Sequence, residues 1–259
     1  MRGVESPRVA AFEAVDSTNG EAARRAGQGE RGPLWITAAR QTAGRGRLGR
    51  PWDSSPGNLY ATYLVTLPVK PEVASQTSFV AALTVFDVAA HFLKDSSALA
   101  LKWPNDVLLG GAKLSGILIE TVARDAPEAT TLAVGIGVNL AHAPQGGRYG
   151  ATSLAEHGAA VEPNEALQIL ASALDRRLAV WNNGSNFTVV RKDWTARAAG
   201  LGGLVSVTEA GRTLQGEFRG IAADGALIIA EPGGRLHAVH AGDVSLAFGT
   251  GARPPAGSS

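Results

Sequence analysis

The chain has 259 residues, of which 45% are hydrophobic and 18% charged, a balance that buries a substantial core and excludes a disordered chain. Its 24 basic and 23 acidic residues leave a formal charge of +1, so total charge points to no nucleic-acid partner and any basic feature must be local. The absence of cysteine excludes disulfides, thiolate metal sites and a cysteine nucleophile.

Met1 to Val15 carries no apolar core of signal-peptide length, and no apolar run approaches the ~18 residues of a membrane span. A cytoplasmic protein without membrane contact is expected. Ser17-Thr18-Asn19 offers capping residues for a short helix over Glu21 to Ala26, which Gly27 ends. Leu34 to Ala38 reads as a buried strand, and Asn58 to Val65 as another that Pro68 stops. Phe79, Leu83, Phe86, Ala90 and Leu93 recur at helical spacing, which predicts a long amphipathic helix over Ser75 to Leu93. Leu99 to Val122 reads as strand, turn, strand, with Pro104 ending the first and Gly110-Gly111 turning the chain. Leu132 to Leu140 is a further strand, and its Gly135 and Gly137 suggest that a ligand or another backbone lies close. Glu165 to Trp181 and Phe187 to Ala199 read as helices.

After Gly200-Leu201-Gly202-Gly203 the pattern changes to short strands divided by glycine turns, from Val205 to Leu246. About 45 residues of this kind predict a small all-β barrel. The expected organisation is therefore a mixed α/β domain over residues 1–200, a small β domain over 201–249, and a disordered tail over 250–259.

Between the first two long strands lies the densest chemical signal. Arg40 to Arg50 holds four arginines and three glycines with no acid, and Pro51-Trp52 closes it. Glycines let a backbone approach a ligand closely, and arginine forks present several donors to phosphate or carboxylate oxygens. A loop of this kind suits an anion, yet it matches neither the Walker nor the dinucleotide pattern.

Because 19 of the 24 basic residues are Arg, the five lysines stand out. Lys102 opens Lys102-Trp103-Pro104-Asn105-Asp106, which compresses a cation, an aromatic plate, an amide and a carboxylate between two strands. Trp103 alone reads as core and Asn105-Asp106 as a turn; beside the loop they make a nucleotide site plausible, with Asp106 either for magnesium or for orienting the lysine. Lys113 sits one hairpin away in Gly111-Ala112-Lys113-Leu114-Ser115-Gly116, where the two lysines can converge on one cleft. Asn139 alone reads as a strand-ending turn residue.

In their order and spacing, Gly44-Arg45-Gly46-Arg47-Leu48-Gly49-Arg50-Pro51-Trp52, Lys102 to Asp106 and Lys113 to Leu118 resemble the biotin protein ligases. Ser17-Thr18-Asn19, Gly135 to Asn139 and Thr152-Ser153-Leu154 are similar to that family as well. So are Phe218 to Ile221 and Gly225 to Leu227 in the small domain. The resemblance implies a mixed-sheet catalytic domain of the biotin/lipoate ligase type followed by a small SH3-like β-barrel. It implies a two-step reaction: biotin and ATP give biotinyl-5′-AMP and pyrophosphate, and a lysine of a biotin carboxyl carrier domain of an acyl-CoA carboxylase takes the biotinyl group.

Carried over residue by residue, Ser17, Thr18, Asn19 and Gln41 would meet the biotin head group. Gly44, Arg45, Gly46, Arg47 and Gly116 would enclose biotin, and Lys113 would hold its carboxylate. Lys113 and Arg47 are the implied catalytic residues. Arg47, Arg50, Trp52, Lys102, Asn105, Asp106 and Asn139 would serve the ATP and adenylate, with Asp106 the candidate ligand for Mg2+. About 16 residues precede Ser17, too few for the winged helix of the family's repressor members, so transcriptional autoregulation is not expected. A monomer or weak homodimer is expected. Of the alternatives, octanoyl transfer would need the missing cysteine, a lipoate-type adenylating ligase would lack the Gly-Arg-Gly-Arg loop, and a nucleic-acid-binding protein would need a basic stripe.

Overall fold

The computed structural model describes residues 7–144, 150–209 and 212–246. Two compact units divide between Ala198 and Ala199. The expected tail over 250–259 lies outside the described residues.

The first unit runs β1 (Val9–Val15), α1 (Thr18–Gly27), β2 (Leu34–Gln41), β3 (Leu59–Leu67), α2 (Pro71–Ala74), α3 (Thr77–Phe92), β4 (Leu99–Lys102), β5 (Asp106–Leu109), β6 (Ala112–Ala126), β7 (Ala129–Val138), α4 (Pro163–Trp181) and α5 (Phe187–Thr195). Its seven strands form one sheet in the order β1-β2-β3-β7-β6-β5-β4. Only β1 and β2 pair in parallel, because α1 carries the chain back between them; the rest are antiparallel. Ser17 caps α1, accepting from the Gly20 N–H at 3.3 Å.

Alternation along each strand gives the sheet two faces. Ala22 and Ala26 of α1 pack against Leu34, Ile36, Leu64 and Ala133 on one of them. The opposite face meets α3, α4 and α5, where Phe79 sets its ring edge-on to Phe187 and Trp194, with centroids 5.4 Å apart in both pairs.

The expected amphipathic stripe on α3 needs correction. Phe79 and Leu83 are buried, but Phe86, Ala90 and Leu93 are only partly so, whereas Val80, Ala81, Ala82, Val85, Val88 and Ala89 are enclosed. The helix is covered by the sheet and by α4 with α5, which leaves only a narrow partly exposed stripe through Ser78, Phe86, Asp87, Ala90 and His91 to mark its period. Pro71–Phe92 is long and apolar enough to cross a membrane by length and composition, but 61% of its most apolar window is buried inside the fold, as in the core helix of a globular protein.

The second unit contains β8 (Leu204–Glu209), β9 (Arg212–Ile221), β10 (Leu227–Ala230), β11 (Leu236–Val239) and β12 (Asp243–Leu246). They form an antiparallel sheet in the order β11-β10-β9-β8-β12, with no ladder joining β11 to β12 among the described residues. Val205, Val207, Phe218, Leu227, Ile229, Val239 and Val244 supply its core.

Candidate active site

The arginine–glycine loop leaves the end of β2 and folds back on itself. Trp52 N donates to Gly44 O at 2.9 Å and Gly46 N to Arg50 O at 2.7 Å, closing a small lid over a single tight turn at Arg47–Gly49. Leu48 at the tip has a left-handed φ of 57° and is 78% exposed. Gly44 is buried at the base, where an added Cβ would lie 2.7 Å from Ser54 Oγ and 2.8 Å from Trp52 O. Its glycine is therefore required by packing within the loop.

Beneath the lid lies a floor of glycines. Gly116 of β6 and Gly137 of β7 are register partners, and the Trp52 indole lies across both; Cβ atoms there would come within 2.9 and 2.6 Å of its ring. At Gly135 a Cβ would lie 2.4 Å from Asn19 Oδ1. The strand glycines were expected to lie close to a ligand or another backbone, and in this structure the Asn19 and Trp52 side chains lie on Gly135 and Gly137.

Ser17, Thr18 and Asn19 are buried at the start of α1. Gln41 Oε1 accepts from Thr18 N at 2.8 Å, and Gln41 Nε2 donates to Ser54 Oγ at 3.0 Å. Asn19 Nδ2 donates to Glu120 Oε2 at 2.7 Å, and Thr62 Oγ1 donates to Asn19 Oδ1 at 2.7 Å. Arg45 Nη2 stands 3.8 Å from Glu120 Oε1. Sequence reasoning missed Ser54, Thr62 and Glu120. Glu120 left a signal, an acid closing the apolar run Ile117-Leu118-Ile119; the hydroxyls left none.

The two lysines converge as their spacing suggested. Lys113 Nζ lies 2.6 Å from Asp106 Oδ1, and the buried Lys102 places its Nζ 3.7 Å from Oδ2. The Lys113 contact lacks hydrogen-bond alignment, so charge holds it. Lys113 Nζ also lies 5.3 Å from the centroid of the Trp52 ring.

Of the two roles open to Asp106, orientation of the lysines has direct geometric support in this structure. Its carboxylate already neutralises two ammonium groups, and no cluster of three or more Asp, Glu, His or Cys suited to a metal exists among the described residues. Magnesium that arrives with ATP is held by one or two carboxylates together with phosphate oxygens and waters, so a lone Asp106 suffices as its protein ligand.

Asn105 ties the segment to the sheet, donating through Nδ2 to Ile117 O at 2.7 Å, while Arg47 Nη1 donates to its Oδ1 at 3.4 Å. Arg50 is exposed at the end of the lid. A cleft of about 340 Å³ opens between Arg47 and Leu48 of the lid, Ser75 after α2 and Ser78 at the start of α3, and Asn105 with Ile117.

Asn139 is 3% exposed, and its Nδ2 donates to Lys113 O at 3.3 Å and Thr152 O at 3.0 Å. Its amide hydrogens thus brace the strand that bears Lys113, which leaves only Oδ1 for the expected adenylate contact.

The model of the biotin/lipoate A/B protein ligase family matches residues 12–152, and that of the biotin protein ligase C-terminal domain matches residues 201–247. A biotin–[acetyl-CoA-carboxylase] ligase of Paracoccus denitrificans is 42% identical over 85% of this chain and 93% of its own length. The chain belongs to the biotin protein ligase family. Membership extends to the tertiary structure. The biotin protein ligase of Aquifex aeolicus in complex with biotin and ATP aligns with a TM-score of 0.76 at 25% identity, over 92% of this chain and 97% of that one. The biotin protein ligase of Leishmania major in complex with biotinyl-5-AMP aligns with a TM-score of 0.59 at 27% identity, over 91% and 99% respectively. The family's mixed sheet and C-terminal β unit are both present here, and the clustered lysines, arginines and glycine floor lie within the matched catalytic region.

Proposed function

We propose that this protein activates biotin with ATP and transfers it to a lysine of a biotin carboxyl carrier domain of an acyl-CoA carboxylase. The observation that carries this reading is the meeting of Lys113, Trp52 and the Gly116–Gly137 floor under an arginine lid. A carboxylate oxygen of biotin attacks the α-phosphorus of ATP, and pyrophosphate leaves. The carrier amine then attacks the carbonyl of the mixed anhydride, AMP leaves, and the nitrogen loses a proton.

The first step brings two anions together, and fixed cations lower the cost of that approach. Lys113 holds the biotin carboxylate, and Arg47 neutralises the α-phosphate as charge develops. Ser17, Thr18, Asn19 and Gln41 meet the polar head group at the pocket's inner end. Gly44, Arg45, Gly46 and Gly116 enclose it. Lys102 and Asn105 serve the phosphates with Arg50, Asn139 offers Oδ1, and Trp52 walls the adenylate. Asp106 would hold a magnesium ion brought with ATP, which would offset charge on the phosphates. The lid excludes water, which would otherwise hydrolyse the anhydride.

The deciding experiment is incubation with ATP, magnesium and a carrier domain plus either biotin or lipoate, read by intact mass. A gain of one biotinyl group with biotin, and none with lipoate, is expected. A lipoyl adduct in preference, or no adduct with either acid, would overturn the reading.

A further inference from the structure

Glu120 touches both the lid and the floor. It follows Gly116 and Leu118 on the same face of β6, the face covered by α1 and Trp52. Its Oε2 accepts from Asn19 Nδ2 at 2.7 Å, and its Oε1 stands 3.8 Å from Arg45 Nη2. None of the roles assigned above uses this carboxylate.

The contact with Asn19 has a directional consequence. Asn19 is 5% exposed, so its amide orientation is decided by its neighbours. Nδ2 faces Glu120 Oε2 and Leu118 O, and both groups can only accept. Turning the amide over would set Oδ1 against a carboxylate. With Glu120 ionised, Oδ1 is held towards Thr62 and accepts a hydrogen bond from its hydroxyl. Thr62 Oγ1 lies 2.8 Å from Thr18 Oγ1, and Thr18 in turn meets Gln41 through its backbone N–H. One carboxylate therefore sets the donor and acceptor roles of Asn19 and Thr62, while the Thr18 backbone N–H fixes Gln41 Oε1 as an acceptor by itself. The second oxygen of Glu120 draws the Arg45 guanidinium of the lid towards the same place. The pair is half exposed, and exposed pairs are weak, so it can break whenever the lid opens.

We propose that Glu120 is a positioning residue that couples the head-group pocket to the lid: it orients Asn19 and latches Arg45 without touching substrate. The inference rests on the biotin-activating reading above.

The test compares the full-length wild type with Glu120→Ala, Glu120→Gln, Arg45→Ala and the Glu120→Gln/Arg45→Ala pair. Three quantities are read: the KM for biotin against kcat in pyrophosphate release, the fraction of biotinyl adenylate escaping into solution, and the melting temperature. Glu120→Ala loses both contacts, and the loss of one hydrogen bond to a charged group corresponds to a rise in KM of about tenfold or more with kcat less affected. Glu120→Gln can still accept from Asn19 but offers no charge to Arg45, so KM should rise less than in Glu120→Ala. Adenylate escape should increase to the level of Arg45→Ala, and the double variant should leak no more than Arg45→Ala alone.

Wild-type KM and wild-type retention in both Glu120 variants would overturn the proposal. So would leakage that multiplies in the double variant, or a fall in kcat alone that tracks a lowered melting temperature. Should Glu120→Ala fail to fold, Glu120→Gln and the double variant decide the latch. Wild-type protein that releases no pyrophosphate with biotin and ATP would instead overturn the functional reading itself.

Discussion

Lys113 stands between a carboxylate and an aromatic face, with Nζ 2.6 Å from Asp106 Oδ1 and 5.3 Å from the Trp52 ring centroid. Two attractions therefore fix a flexible four-carbon stem above Gly116, whose missing side chain leaves the lysine room; a Cβ there would sit 3.2 Å from its Nζ. Lys113→Ala is expected to lower pyrophosphate release with biotin and ATP by about 10²–10³-fold, the usual cost of removing one preorganised charge-stabilising group. The fold should persist, since Asp106 keeps Lys102 as its counter-ion. Release at the wild-type rate from the folded variant would remove Lys113 from that role. The roles of lysine and aspartate were only partly readable from their spacing. That Lys102 and Lys113 share one carboxylate depends on the register of β4, β5 and β6, in which Asp106 faces Lys102 on one side and Gly116 on the other.

The lid is anchored at its base and exposed at its tip. Trp52 N–H is bonded to Gly44 O, and Gly44 is enclosed, whereas Leu48, Gly49 and Arg50 are exposed. Amides of Gly46 to Arg50 are expected to exchange quickly in the free protein and at least about tenfold more slowly with biotin plus ATP, while Trp52 stays protected in both. Hydrogen exchange that is the same with and without the two substrates would contradict a closing lid. At the same scale, α3 shows how burial erases a pattern. A helix with one dry side announces itself by its period, but one packed between a sheet and two other helices, with only a narrow polar stripe at Asp87 and His91, shows that period weakly.

For the whole molecule, binding and stability are linked. A ligand that binds only the folded chain, present at a hundred times its Kd, stabilises it by about 2.7 kcal/mol. For domains of this size that corresponds to a rise in melting temperature of roughly 5–10 °C. Biotin with ATP should produce a rise of that order, read by scanning calorimetry, and Lys113→Ala should show less of it. An unchanged melting temperature at saturating substrate would speak against binding at this site.

The sequence by itself determined the element order, the change of pattern near Gly200, the arginine- and glycine-rich character of Arg40 to Trp52, and the family resemblance. These rest on local chemistry: periodicity, turn residues, and residue types at fixed short spacing. Tertiary structure alone decided which side chains cover Gly116, Gly135 and Gly137, why Asp106 faces two ammonium groups, and why Asn139 braces Lys113. It also disclosed Thr62 and Glu120, which lie 43 and 101 residues from the Asn19 they contact. Such contacts are set by strand register and by the packing of α1 on the sheet. A one-residue slip of β6 would send Glu120 to the opposite face without altering a single local motif.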